Sequence, residues 1–152
     1  MKEIEKKYLL HEMPAGLSVG KSIRQGYLFA EDFEMRLRQK ADKYFLTIKG
    51  DGALTRDEWE KEIPKWVFET LWPKTEGRRV EKIRYTINLC GNMLEIDEYF
   101  GKLAGLFTLE IEFRSETDAN FFSAPEWLNI VADITADKRY KNKNLAVNGL
   151  PK

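Results

Sequence analysis

From residue 2 to residue 114, charged and apolar side chains alternate with period two in one segment after another. Such alternation places residues i and i+2 on the same side of an extended chain, whereas a helix needs apolar residues every three to four positions. The pattern predicts eight strands, over 2–10, 22–29, 34–40, 43–50, 53–63, 79–88, 93–99 and 106–114. Asp51-Gly52 lies between the fourth and fifth, and Gly91-Asn92 between the sixth and seventh. Both pairs read as tight hairpin turns, because these residues tolerate the positive φ that such turns need, so neighbouring strands are expected to run antiparallel. Pro64 suits the first turn of a short helix carrying Trp66, Val67 and Leu71 and ended by Pro73. Ser115 to Asp118 reads as a helix cap, and Asp137 is expected to cap a final helix running toward Gly149.

The charges are sorted by strand and by face. Glu3, Glu5 and Lys7 oppose Ile4, Tyr8 and Leu10; Arg36 and Arg38 oppose Leu37; Thr47 and Lys49 oppose Leu46 and Ile48. Glu58, Glu60 and Glu62 oppose Trp59 and Ile63; Lys82 and Arg84 oppose Ile83, Tyr85 and Ile87. Glu95 and Asp97 oppose Leu94 and Ile96, and Glu110 and Glu112 oppose Leu109, Ile111 and Phe113. The apolar faces need covers, and the helices are the available ones. Trp66, Trp72, Trp127 and the Phe121-Phe122 pair are expected to pack in that outer layer, and Trp59 beneath a helix. The charged faces then look at water, as on an ordinary solvated sheet, or at each other; in the second case the expected α+β fold is an eight-stranded antiparallel β-barrel with a charged lumen and helices packed outside. Charges buried without partners are prohibitively costly, so a charged interior requires water, opposite charge or a ligand.

Composition narrows the function. The 152 residues are 43% apolar and 33% charged, which fits one folded domain spanning 1–152. Lys plus Arg and Asp plus Glu both total 25, so no general electrostatic grip on nucleic acid or membrane is expected. The opening residues lack the apolar stretch of a secretory signal. The single cysteine, Cys90, leaves no internal disulfide and no multi-thiolate metal site, and suits a reducing cytoplasm. His11 reads as a surface residue and Cys90 as an inert one.

Glu3-x-Glu5-x-Lys7 followed by Tyr8-Leu9-Leu10 resembles the opening signature of the CYTH family, the triphosphate tunnel metalloenzymes. The likeness continues in order through Arg24-Gln25-Gly26-Tyr27-Leu28, Arg36-Leu37-Arg38 and Phe45-Leu46-Thr47-Ile48-Lys49-Gly50. Glu58, Glu60 and Glu62 before Ile63-Pro64, Val80-Glu81-Lys82-Ile83-Arg84-Tyr85, Glu95-Ile96-Asp97 and Leu109 to Phe113 carry it further. Asp133-Ile134-Thr135 and Arg139-Tyr140-Lys141-Asn142-Lys143-Asn144-Leu145-Ala146 match the tail of short bacterial members. Two departures are Asp133, where the family often has Glu, and Lys141 and Lys143, where many members have small polar residues. Both lysines are expected in the final helix, altering surface charge only.

The resemblance implies an eight-stranded tunnel acting on a triphosphate with a divalent metal. A triphosphate carries about four to five negative charges near neutral pH. Lys7, Arg36, Arg38, Lys49, Lys82 and Arg84 are the expected substrate-binding cations, arginines gripping phosphate bidentately and lysines acting as point charges. Hard oxygen donors suit Mg²⁺ or Mn²⁺, with Glu3, Glu5 and Glu112 expected as ligands and Glu110 behind them. Catalysis is expected from Glu5 acting through water or from Tyr27, whose pKa nearby arginines would lower. Asp97, Glu58, Glu60 and Glu62 are expected to orient the cations. The expected activity is hydrolysis of inorganic tripolyphosphate with release of phosphate, by a monomer or homodimer in the cytoplasm. Thiamine triphosphatase, class IV adenylate cyclase and a polyphosphate-binding module without turnover are the alternatives; cyclisation is disfavoured because no segment offers an adenine pocket.

Overall fold

The computed structural model describes residues 4–50 and 57–152. Nine strands form one sheet: β1 (Ile4–Leu10), β2 (Lys21–Ala30), β3 (Glu34–Lys40), β4 (Lys43–Lys49), β5 (Glu58–Glu62), β6 (Arg79–Leu89), β7 (Asn92–Tyr99), β8 (Phe107–Phe113) and β9 (Ile130–Asp133). Three short helices accompany them, α1 (Lys65–Leu71), α2 (Glu116–Phe121) and α3 (Asn142–Asn148). Among the described residues, no helix is long and apolar enough to cross a membrane.

The sheet order is β5-β4-β3-β2-β6-β7-β8-β1-β9, with every pairing antiparallel. This corrects the expected closed barrel of eight strands. Among the described residues no ladder joins β5 to β9, and a ninth strand lies outside β1, so the sheet is curled but open. Its curl is nonetheless deep, because side chains of β1 and β8 share one cleft with side chains of β2, β3 and β4.

The β6–β7 hairpin turns at Cys90 and Gly91, with φ of 53° and 83°. Two successive positive φ values define the tight turn whose twist matches the flanking strands. The turn therefore falls one residue earlier than Gly91-Asn92, and Asn92 opens β7. The Asp51-Gly52 turn and the start of the expected fifth strand, to residue 56, lie outside the described residues.

The convex face is apolar and covered as alternation requires. Leu94, Ile96, Leu109, Ile111 and Phe113 pack with Ala119 of α2, Phe122 and Leu128. Leu37 packs with Phe68 and Trp72 from α1 and the turn after it. Other expected covers are not covers: Trp66 is 70% exposed, Phe121 82%, Trp127 45% and Trp59 49%. The helices are too short to bury more than one stripe, so aromatics off that stripe face water. α3 is a further correction to helices packed outside. Its Leu145 and Ala146 pack against Tyr27, Val80 and Tyr99, which belong to the concave face, and so it plugs one end of the trough. Lys102 Nζ donates to the carbonyl of Ala146 and pins the plug.

Candidate active site

Register places the expected charges on the concave face. Gln25 lies opposite Arg38, Tyr27 opposite Arg36, Arg36 opposite Thr47 and Glu34 opposite Lys49. On the other wall Arg84 lies opposite Asp97, Glu95 opposite Glu110, Lys7 opposite Glu110 and Glu5 opposite Glu112. A cleft of about 270 Å³ opens between the walls, lined by Glu5, Lys7, Tyr27, Glu34, Arg36, Lys49 and Glu110 and by residues of the 134–143 segment. Arg36 is buried within it, and its Nε has no hydrogen-bond partner. Buried polar atoms without partners are rare and costly, which sets Arg36 apart from the arginines whose Nε is engaged.

Arg38, Lys82, Arg84 and Glu112 lie on the same face but outside the cleft lining. Arg38 Nε donates to Gln25 Oε1 at 2.7 Å. Arg84 grips Asp97 through Nε and Nη2 at 2.8 and 2.9 Å and donates through Nη1 to Glu95 at 2.7 Å. Lys82 Nζ stands 2.9 Å from Asp97 Oδ2, fully buried, with the Tyr99 ring 5.3 Å away. Burial alone would raise the Asp97 carboxyl, but the Lys82 charge and the Arg84 hydrogen bonds hold it well below the usual range. Desolvation pushes Lys82 down to about 8, Arg84 adding to the effect and Asp97 opposing it. Asp97 thus orients the cations, as expected. On the edge strand Glu60 accepts from Thr47 Oγ1 at 2.9 Å.

Tyr27 corrects an expectation. Burial raises its pKa, outweighing the lowering by Arg36 and by a hydrogen bond from Gln25, while Glu34 raises it further. The phenol keeps its proton at neutral pH, so an ionised Tyr27 base does not fit this wall.

Two acidic pairs face each other directly on β8 and its neighbours, Glu5 with Glu112 and Glu95 with Glu110. Like charges so opposed are destabilising without an intervening cation. Arg84 answers Glu95, and Lys7 Nζ lies 3.6 Å from Glu110. The Glu5 and Glu112 carboxylates, opposite each other on β1 and β8, offer the hard oxygen donors that a divalent cation prefers. Among the described residues no three acidic, histidine or cysteine side chains converge as a metal cluster, and Glu3 lies outside them. Such a donor set suits a cation that completes its shell with water and phosphate oxygens.

The 134–143 segment is the part that alternation does not reveal. Lys7 Nζ donates to the carbonyl of Tyr140 at 2.6 Å, and Lys7 N to Thr135 Oγ1 at 3.0 Å. Asp137 caps only the turn Lys138–Tyr140, accepting from Arg139 N, and α3 starts afresh at Asn142. The break brings Lys141 and Lys143 to the cleft, which corrects their expected role as surface charges alone. Lys143 Nζ lies 3.7 Å from Glu34 Oε1. Only the Asp133 to Thr135 and Arg139 to Ala146 matches hinted at this segment, because it has no regular period to read.

No family model matches the chain. It is 46% identical over 151 residues to an inorganic triphosphatase of Nitrosomonas europaea, covering 97% of this chain and 99% of that one. An inorganic triphosphatase of Acetivibrio thermocellus is 38% identical over 151 residues, covering 97% and 94%. A crystal structure of an inorganic triphosphatase superposes with a TM-score of 0.82 at 42% identity, covering 100% of this chain and 98% of that one. With these full-length likenesses joined to the ordered motifs and the charged trough, the chain belongs to the CYTH family, among its inorganic triphosphatases.

Proposed function

We propose that this protein is a metal-dependent hydrolase of inorganic tripolyphosphate, adding water across a terminal phosphoanhydride bond to release phosphate and pyrophosphate. The observation that carries the reading is the cleft itself, lined by buried Arg36 together with Lys7 and Lys49. Among the described residues its lining holds no tryptophan, which favours a bare polyphosphate over thiamine triphosphate or a nucleotide.

Lys7, Arg36 and Lys49 bind phosphate oxygens directly. Arg38, Lys82 and Arg84 act from behind, holding a positive field along the wall and keeping the bound chain extended. Glu5 and Glu112, with Glu3 and Glu110 beside them, hold Mg²⁺ or Mn²⁺. That cation supplies charge neutralisation on the transferring phosphoryl group and a more acidic bound water. Tyr27 donates a hydrogen bond to a phosphate oxygen. Lys82, fully buried and ion-paired to Asp97, adds its charge from behind the cleft. Positioning and electrostatics provide most of the acceleration in phosphoryl transfer, which suits a wall built of charges.

The test gives purified protein tripolyphosphate, thiamine triphosphate or ATP, each with Mg²⁺, Mn²⁺ or EDTA. Phosphate release from tripolyphosphate, abolished by EDTA and by Glu5→Gln in a protein that still melts cooperatively, is the expected result. Cyclic AMP from ATP, or binding without release, would replace the reading with a cyclase or a passive binder.

A further inference from the structure

Gln25 sits on β2 between Arg38 of β3 and Val80 of β6, with none of its surface exposed. Both ends of its amide are engaged inside the wall. Arg38 Nε donates to Oε1 at 2.7 Å, and Nε2 donates to the Tyr27 hydroxyl at 2.7 Å. Packing alone does not call for an amide here: Ile23, two residues earlier on the same face, is equally buried and apolar.

Arginine has donors and no acceptor. It therefore fixes which end of the amide faces it, and the amide nitrogen must face Tyr27. A nitrogen that can only donate obliges the phenol oxygen to accept. With its oxygen accepting from Gln25, the hydroxyl keeps its own proton to give to an acceptor in the cleft that Tyr27 lines.

We propose that Gln25 is a positioning residue that passes the donor-only character of Arg38 on to Tyr27, fixing the Tyr27 hydroxyl as a hydrogen-bond donor aimed at phosphate. This rests on the tripolyphosphatase reading above, since phosphate is the acceptor it requires. The raised pKa of Tyr27 agrees with it, because a donor must keep its proton.

Gln25→Glu tests the relay. A glutamate keeps the contact with Arg38 through one oxygen, and its second oxygen accepts the phenol proton and turns it away from the cleft. Steady-state kinetics on tripolyphosphate would compare wild type, Gln25→Glu, Tyr27→Phe and the double variant, with melting temperatures as the folding control. Each single variant should lower kcat about tenfold with KM within about threefold, and the double variant should be within about twofold of the worse single. Should Gln25→Glu fail to fold, Gln25→Met removes the relay without adding charge and is read in the same two backgrounds. Losses that multiply, or a Gln25 variant at full rate, would overturn the relay. A wild-type protein inert toward tripolyphosphate would instead overturn the functional reading beneath it.

Discussion

Arg36 and Arg38 stand two residues apart on one strand and share a face, yet their surroundings give them different work. Arg36 lines the cleft, while Arg38 lies outside it with its Nε committed to Gln25. Arg36→Ala should therefore raise KM for tripolyphosphate, and the loss of a charge-assisted contact worth about 1.5–3 kcal/mol lowers kcat/KM by roughly 10- to 150-fold. Parity of position read from the sequence assigns both arginines to the charged face; it carries no information on depth, which the curl of the sheet decides. Gly26 shows the same limit. A Cβ there would stand 2.5 Å from Thr75 Oγ1. That threonine cannot yield, being fully buried, bonded to the Trp72 carbonyl at 2.7 Å and accepting from Arg79 Nε at 3.0 Å. Gly26→Ala should cost about 1–3 kcal/mol of stability through overpacking, measured by urea denaturation.

Strands with strict alternation were legible because one face must be dry and the other charged. β9 was not: four residues at an edge, Ile130–Asp133, paired among the described residues to β1 alone and across an irregularity near Leu9 and Leu10, offer too short a period to detect. The plug was also obscured, since Asp137 signals a helix start but caps only a single turn, and the helix begins five residues later. Once formed, α3 carries a clear energetic role. Leu145 is fully buried among Tyr27, Tyr99 and Ala146, so Leu145→Ala should lose about 2–5 kcal/mol. Because the same side chain supports the Tyr27 ring, turnover of the folded variant should fall as well. Val147→Ala, at a half-exposed position on the same helix, should change neither stability nor turnover appreciably.

At the level of the whole molecule, an inverted sheet must tolerate charges in its interior even when no substrate neutralises them. Asp97 ties Lys82 and Arg84 into one buried knot, and the price is visible in Lys82, held at about 8 against the usual 10.5. The segregation of signs by strand was readable in the sequence; that two of the expected phosphate ligands would be committed to an aspartate was not, because ion pairing depends on which strands become neighbours. The consequence for stability has a definite sign. Lys82 loses its proton in the folded protein before the unfolded chain does, so between about pH 8 and 10.5 the unfolded state binds more protons and stability rises with pH. Below that window both states are protonated, and the cost of burying the ammonium is fully present. The full effect is about 3 kcal/mol at most, and Tyr27 and Tyr99, whose pKa values are raised, oppose it as pH passes 10. Urea denaturation at a series of pH values should thus show the unfolding free energy climbing from pH 8 to 10, and the climb should shrink in Lys82→Met, where Asp97 keeps both Arg84 hydrogen bonds. Equal slopes in the two proteins would mean that Lys82 titrates as an ordinary lysine and that its burial carries no such cost.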